Sequence, residues 1–582
     1  MKILLTAINA KYIHSNLAVY SLRSYAKERM SEADIEIAEY TINQQIDDIL
    51  MDIYEKRPDV LCMSCYIWNL QYVESIVREI AKIRPELPIW LGGPEVSYDA
   101  EDVLKRLPQV KGVMKGEGEQ TFYELCKAYQ QKSEEELKSI DGITFRTSKA
   151  TDADEIIVNP WRMPMDLNEV PFVYQDMKDF EHKIVYYETS RGCPFSCSYC
   201  LSSIDKKLRF RNLELVKKEL QFFIDHQVPQ VKFVDRTFNC KHDHALAIWT
   251  YIKEHDNGIT NFHFEISADL INEQEVELLK TMRPGLVQLE IGVQSTNPET
   301  IREIHRTMDF EKLGKVVTQI HAGGNIHQHL DLIAGLPYEN IESFANSFDE
   351  VYGLKPHQLQ LGFLKVLKGS YMEEQKEAYH LKYKSTPPYE VLFTKWLSYD
   401  DVLRLKGVEE MVEVYYNTRQ FEHTLEALEQ EFVSMFDMYE KIWNFYKENN
   451  LHNLSHKRAA RYQILLDFIC TQTSGKEAYY RELLTYDYYS RENAKSRPEF
   501  AGENKIEKEY ARQFYEKEAE EHIYLKEYQQ YDKNQMRKMT HLEYFETLGE
   551  TVLFDYMNRN PLNQEAATYI IEKTSKSITD FV

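Results

Sequence analysis

The chain has 582 residues, room for roughly three or four domains at ~150 residues each. It carries 70 Lys plus Arg against 94 Asp plus Glu, a net charge of −24, with 43% hydrophobic and 28% charged residues. That is a globular mix with ample core, and its acidity disfavours general duplex binding, which relies on basic groups neutralising phosphate. No apolar run approaches the ~20 residues of a bilayer span. The opening MKILLTAINAKYIHSN reads as a first strand and not as a secretion signal. Eight Cys are too few for a disulfide scaffold, so the expected setting is a reducing cytoplasm in which clustered Cys are ligands or catalysts.

Residues 1–130 alternate between short apolar runs, at 2–8, 35–40, 60–67, 89–92 and 110–114, and helix-period segments such as Val73, Ile76, Val77, Ile80 and Ile83. The alternation predicts an α/β domain with a doubly wound, flavodoxin-like parallel sheet, whose ligands bind at the carboxyl ends of the strands. Those ends carry Asn9–Asn16, Ser64-Cys65-Tyr66, Gly92-Gly93-Pro94-Glu95 and Gly116-Glu117-Gly118-Glu119. Their glycines admit close backbone approach to a ligand. The set resembles cobalamin-binding domains, in which the nucleotide tail is threaded into the sheet beside these loops.

The resemblance makes Asn9, His14, Ser64, Gly92, Gly93, Glu95, Gly116, Glu117 and Gly118 candidate cobalamin contacts, with Gly92 and Gly93 intolerant of large side chains. One departure concerns cobalt. Members that replace the lower axial base use Asp-x-His-x-x-Gly, and here Asn9 and Lys11 stand at the Asp and His positions. His14 has no fixed place in that motif, so the expectation is base-off cobalt without a protein imidazole. Cys62 and Cys65 lie within the third apolar run and read as core and pocket lining, not as a metal or redox pair.

Residues 131–180 are punctuated by Pro160, Pro164 and Pro171 and read as an ordered linker over two domains. The next strand runs into Arg191-Gly192-Cys193-Pro194-Phe195-Ser196-Cys197-Ser198-Tyr199-Cys200. Three thiolates at Cys-x-x-x-Cys-x-x-Cys on a Gly/Pro loop suit an iron–sulfur cluster, and three ligands leave one iron of a 4Fe–4S cluster open. The spacing, with an aromatic residue before the third Cys, resembles the radical S-adenosylmethionine (SAM) superfamily. In that family the open iron is chelated by the methionyl amine and carboxylate, and electron transfer cleaves the C–S bond to give a 5′-deoxyadenosyl radical. Strand runs at 231–234, 262–267, 287–291, 328–333 and 358–363 predict a partial (β/α) barrel of TIM type over 181–370. The resemblance places Tyr199, Asp235, Glu265, Ser267 and Gln294 at the SAM site and Cys193, Cys197 and Cys200 on the cluster.

Beyond residue 370, Gly becomes sparse, more than half of the 40 Tyr occur, and helix-period stripes dominate. An all-α domain of unknown role is expected over 371–582, its Tyr forming core and interface and Cys470 packed in a helix. The combined resemblance implies a cobalamin-dependent radical SAM enzyme that methylates an unactivated carbon of a small molecule or peptide. Radical rearrangement or cyclisation without methyl transfer is the first alternative, and a transfer-RNA methylthiotransferase the second. A reducing partner such as flavodoxin or ferredoxin is implied, and nucleic acid and membrane are disfavoured.

Overall fold

The computed structural model describes residues 1–147, 155–204 and 206–573. Parts of the expected linker, at 148–154, and of the C-terminal domain, at 574–582, lie outside the described residues. The chain divides into two compact units: 1–326 with 333–340 and 362–399, and 327–332 with 341–361 and 400–582.

The first unit opens with a sheet of strands β1 Lys2–Asn9, β2 Asp34–Thr41, β3 Val60–Ser64, β4 Ile89–Gly92, β5 Gly112–Met114, β6 Ile143–Arg146 and β7 Ile156–Val158, in the order β2-β1-β3-β4-β5-β6-β7. β1 to β5 are parallel, as the buried apolar runs require. Leu4, Ile8, Leu61, Met63, Leu91 and Val113 pack against Val73, Ile76, Val77 and Ile80 of the helix Leu70–Ile83. β3 stops at Ser64, earlier than its apolar run, because Asn69 folds the chain over. The Asn69 amide donates to the Ile8 and Ser64 carbonyls at 3.0 Å and accepts from Tyr66 N–H at 2.8 Å. β6 and β7 add antiparallel edge strands from a segment that reads as linker. The short alternation of Ile143-Thr144-Phe145-Arg146 carries the signal, and the prolines begin only after β7.

The second sheet contains β8 Val185–Tyr187, followed by a ribbon of β9 Ser190–Arg191 and β10 Arg209–Phe210, then β11 Gln230–Phe233, β12 Asn261–Ile266, β13 Val287–Gln294, β14 His327–Ala334 and β15 Gln358–Phe363. Its order is β15-β14-β13-β12-β11-β8. β8, β11, β12 and β13 are mutually parallel, separated by the helices Leu213–Asp225, His242–Glu254 and Glu273–Lys280. A ribbon of β16 Lys382–Tyr383 and β17 Val391–Phe393 follows.

The second unit is helical from Asp400 to Met539 but not all-helical, which corrects the expected all-α domain. It ends in an antiparallel sheet of β18 Thr540–Phe545, β19 Glu550–Arg559 and β20 Ala566–Lys573. The signal was present: β-branched and aromatic residues dominate Thr551-Val-Leu-Phe-Asp-Tyr, and Gly549 turns the chain at φ 68°. Many of its tyrosines are core. Tyr415, Tyr439 and Tyr462 are at most 1% exposed. Cys470, expected to pack, is instead exposed on the helix Arg458–Gln472.

Candidate functional site

A cavity of about 800 Å³ opens in the first unit where the carboxyl ends of β1, β3, β4 and β5 meet β8 to β11. Asn9, His14, Ser64, Gly92, Gly93, Gly116, Glu117 and Gly118 line it, as do Tyr186, Glu188, Arg191 and Gly192 from the strand and loop leading to the cysteines. Leu167, Val170, Phe172 and Tyr174 of the linker also line it, so the proline-rich segment forms part of its wall.

The β1 loop is held by a buried acid. Glu39 accepts from Asn9 Nδ2 at 3.0 Å, Asn16 N–H at 2.9 Å and Lys183 Nζ at 2.7 Å. Burial pushes the Glu39 carboxyl up, but hydrogen bonds from Lys183, Tyr20 and Asn9, with the Lys183 charge, prevail and hold it below the usual range. Asn9 is thereby spent on the loop. Its neighbour His14 has Nδ1 2.6 Å from Tyr186 Oη, and burial, then Lys11 and Lys232, lower its pKa.

At the β4 end, Gly93 has φ 116°, and an added Cβ would lie 2.5 Å from the Cys65 carbonyl oxygen. A Cβ on Gly92 would meet only Met114, at 3.6 Å. Gly93 is therefore demanded by its own backbone, whereas Gly92 leaves the space open. Glu95, a candidate contact, does not line the cavity. It is 5% exposed, accepts from the Tyr389 hydroxyl, and lies 3.6 Å from Lys368 Nζ. It ties the β4 loop to the segment after β15.

Around β5 and the cysteine loop, carboxylates and guanidinium groups pair. Arg191 donates to Glu119 at 2.9 Å and to Glu188 at 2.7 Å. Arg209 donates to Glu117 at 3.1 Å, and Met165 N–H reaches the same carboxylate at 3.1 Å. Glu119 opens the helix Glu119–Gln131, and Arg191 precedes Gly192, whose φ of 92° turns the chain into Cys193. The strand-end loop of the first sheet is thus joined directly to the cysteine loop.

Cys193 and Cys197 are 9% and 8% exposed, and Cys200 is half-buried. Burial raises the Cys193 thiol, with a further contribution from Cys200 and Cys197, while a Phe195 backbone hydrogen bond opposes it. The loop is pinned by Ser198 N–H to the Ile304 carbonyl at 2.9 Å and Met372 N–H to the Ser198 carbonyl at 3.0 Å. Three clustered soft ligands on a fixed loop fit a cluster that would hold them as thiolates.

None of the five expected SAM residues lines the 800 Å³ cavity. Asp235 is fully buried and accepts from Thr189 N–H at 2.9 Å and from Thr189 Oγ1 and Ser190 Oγ at 2.6 Å. Burial lifts its pKa to about 6 against those donors. It fastens the segment before the cysteines. Ser267 is likewise committed, to Asn239 at 3.0 Å and Asp269 at 2.6 Å. Glu265 lies opposite Glu290 on the next strand.

Tyr199 and Gln294 gather around a residue the sequence reading missed. Arg306 donates to Tyr199 Oη at 3.3 Å, lies 3.9 Å from Cys197 Sγ, and donates to the Gly292 carbonyl. Gln294, at φ 74°, folds its amide over Gly292, and its buried Oε1 has no hydrogen-bond partner among the described residues. Arg306 carries no local motif, since it reaches the cysteines from more than 100 residues away.

Residues 3–126 match the B12 binding domain model, 187–351 the radical SAM superfamily model, and 377–571 a model described as a protein of unknown function (DUF4080). The 2-(S-pantetheinyl)-carbapenam-3-carboxylate methyltransferase of Streptantibioticus cattleyicolor is 27% identical over 322 residues, covering 52% of this chain and 46% of that protein. The anaerobic magnesium-protoporphyrin IX monomethyl ester cyclase of Synechocystis sp. is 26% identical over 238 residues, covering 38% and 45%. The chain spans about half the length of these curated relatives. The structure of OxsB, described as a cobalamin-dependent S-adenosylmethionine radical enzyme, shares the fold with a TM-score of 0.58 at 17% identity, covering 83% of this chain and 78% of that one. Strand-end loops, cysteine loop and family matches together place the chain among the radical S-adenosylmethionine proteins that carry an N-terminal cobalamin-binding domain.

Proposed function

We propose that the chain is a cobalamin-dependent radical SAM enzyme that methylates an unactivated carbon of a small molecule or peptide. The observation that carries this reading is one cavity bounded by both the cobalamin-type strand ends and the approach to the cysteine triad. When bound, the cluster with SAM supplies a carbon-centred radical, and cobalamin supplies a methyl group.

The chain's own residues position and shield. Arg191, clamped between Glu119 and Glu188, sets the turn that presents Cys193. Asp235 holds Thr189 and Ser190 behind that turn. Arg306 keeps Tyr199 beside Cys197, and the apolar linker residues Leu167, Val170 and Phe172 keep water from the cavity wall. Ser64, Gly92 and Gly118 would line the path of a nucleotide tail. Electrons would come from a reducing partner such as flavodoxin or ferredoxin. No helix among the described residues is long and apolar enough to cross a membrane.

The methyltransferase among the relatives favours methyl transfer, and the cyclase keeps radical cyclisation as the second reading. A transfer-RNA methylthiotransferase is disfavoured. Its second cluster would need Cys62, Cys65 and Cys126, which are 2%, 0% and 0% exposed and raised in pKa by burial.

Product analysis separates the two readings. The reconstituted full chain, given reductant, SAM and extracts of candidate metabolites, should form 5′-deoxyadenosine together with S-adenosylhomocysteine. Deoxyadenosine with converted substrate but no S-adenosylhomocysteine would establish cyclisation instead.

A further inference from the structure

The loop after β1 is fixed without any help from its imidazole. Ile184 N–H donates to the Ile13 carbonyl at 2.7 Å. Ser15 Oγ donates to the Ile184 carbonyl at 2.9 Å, and Asn9 Nδ2 to the His14 carbonyl at 3.0 Å. These bonds leave the His14 ring no part in building the loop, yet the ring itself is held. Its Nδ1 lies 2.6 Å from Tyr186 Oη, with the two ring centroids 6.1 Å apart. Among the described residues the imidazole makes no other hydrogen bond, and the side chain lines the cavity beside Asn16, Ser64 and Tyr66.

A histidine that serves a metal has one ring nitrogen oriented by a neighbouring group and the other left for the ion. A capping or packing histidine has no need of that arrangement. We propose that His14 gives Nε2 to the cobalt of bound cobalamin and that Tyr186 fixes the ring as its positioning residue. The inference rests on the cobalamin reading of the cavity. It reverses the expectation drawn from the Asp-x-His-x-x-Gly spacing, for a structural reason. That spacing measures position along the loop, whereas here the loop is anchored on Ile184 and the orienting group comes from β8, far away in sequence.

The test reads the cobalt directly. The full chain is loaded with cobalamin, reduced to the cob(II) state and examined by electron paramagnetic resonance, once unlabelled and once grown with heavy-nitrogen histidine. The expected result is a nitrogen triplet splitting that becomes a doublet on labelling. In His14→Ala the splitting should vanish, and Tyr186→Phe should weaken cobalamin binding about 10-fold while retaining the splitting. A bound cob(II)alamin without nitrogen splitting, or with a splitting that the label leaves unchanged, overturns the inference. Because labelling needs no substitution, this holds even if a variant does not fold. A folded chain that binds no cobalamin overturns instead the reading on which the inference rests.

Discussion

The cavity of the first unit and the tyrosine-rich core of the second spend their polar groups differently. Every carboxylate lining the cavity meets a guanidinium: Glu117 with Arg209, Glu119 and Glu188 with Arg191, and Glu219 with Arg211. Two of these pairs, Glu117–Arg209 and Glu119–Arg191, join loops distant in sequence, and the four leave a hollow between them. In the second unit the tyrosine hydroxyls pair with one another, with backbone or with a carboxylate, as where Tyr352 Oη donates to Glu429 at 2.6 Å. Tyr415 Oη lies 2.7 Å from Tyr446 Oη, and Tyr352 Oη 3.3 Å from Tyr439 Oη. Tyr462 Oη donates to the Gln420 carbonyl at 3.0 Å. Those contacts close space, and buried hydroxyls satisfied in this way stabilise a core. An unusual composition therefore marks packing in one region, and a modest count of paired charges marks a site in the other.

The largest effect that would break this contrast lies at the cysteines. Replacing Cys193, Cys197 or Cys200 by Ala should abolish 5′-deoxyadenosine formation, because an iron loses its thiolate. Tyr446→Phe in the second unit should leave it intact. A triple-Ala variant that still forms 5′-deoxyadenosine would remove the radical assignment.

Next in size is the clamp between the strand-end loop and the cysteine loop. Arg191→Gln leaves Glu119 buried without its cation, a loss of about 3–5 kcal/mol for such pairs. Chemical denaturation should show it, together with slower SAM cleavage. Unchanged stability would mean that Arg191 is not the joint between the loops.

The glycines sharpen the comparison further. Gly93→Leu should destabilise the fold itself, since its Cβ would collide with the Cys65 carbonyl oxygen. Gly92→Leu should keep its melting temperature within a few degrees and lose most cobalamin binding. If Gly92→Leu binds cobalamin as tightly as the parent chain, the tail does not pass there.

The smallest effect is a pH dependence in the second unit. Burial lowers the His423 pKa, but the hydrogen bond and charge of Asp487, 2.8 Å away, outweigh it and raise it from 6.5 to about 9. A raised folded-state value stabilises fully below 6.5, and the contribution is lost as pH climbs through about 9. The melting temperature should fall over that window, and Asp487→Asn should flatten the fall. The side chain of His423 is 39% exposed, so solvent keeps the effect small.

Much of this was legible in local sequence. The cysteine spacing, the glycine-bearing strand ends and the parallel strands of both sheets are short-range signals, and the cavity gathers eight of the nine proposed cobalamin contacts. What escaped was long-range. Asp235 occupies a strand end, where a ligand contact is expected, but three donors from β9 and the residue before it turn it inward. Arg306, the Tyr186 hydroxyl on His14 and the Glu119–Arg191 pair are each created by folding, with no fixed spacing to reveal them. The terminal sheet escaped for another reason: the helical stripes before it suggest that helix continues through residues 540–573.

The most direct test of the central claim, that one cavity serves both the strand-end loops and the cysteine loop, is magnetic. The full chain would be loaded with cobalamin and a reconstituted cluster, reduced to cob(II)alamin and the paramagnetic cluster, and examined by electron paramagnetic resonance. A shared cavity predicts that each signal is broadened or split by the other, and that the cobalt signal returns to its isolated form in Cys200→Ala. Two signals that simply add, with no mutual perturbation, would contradict it.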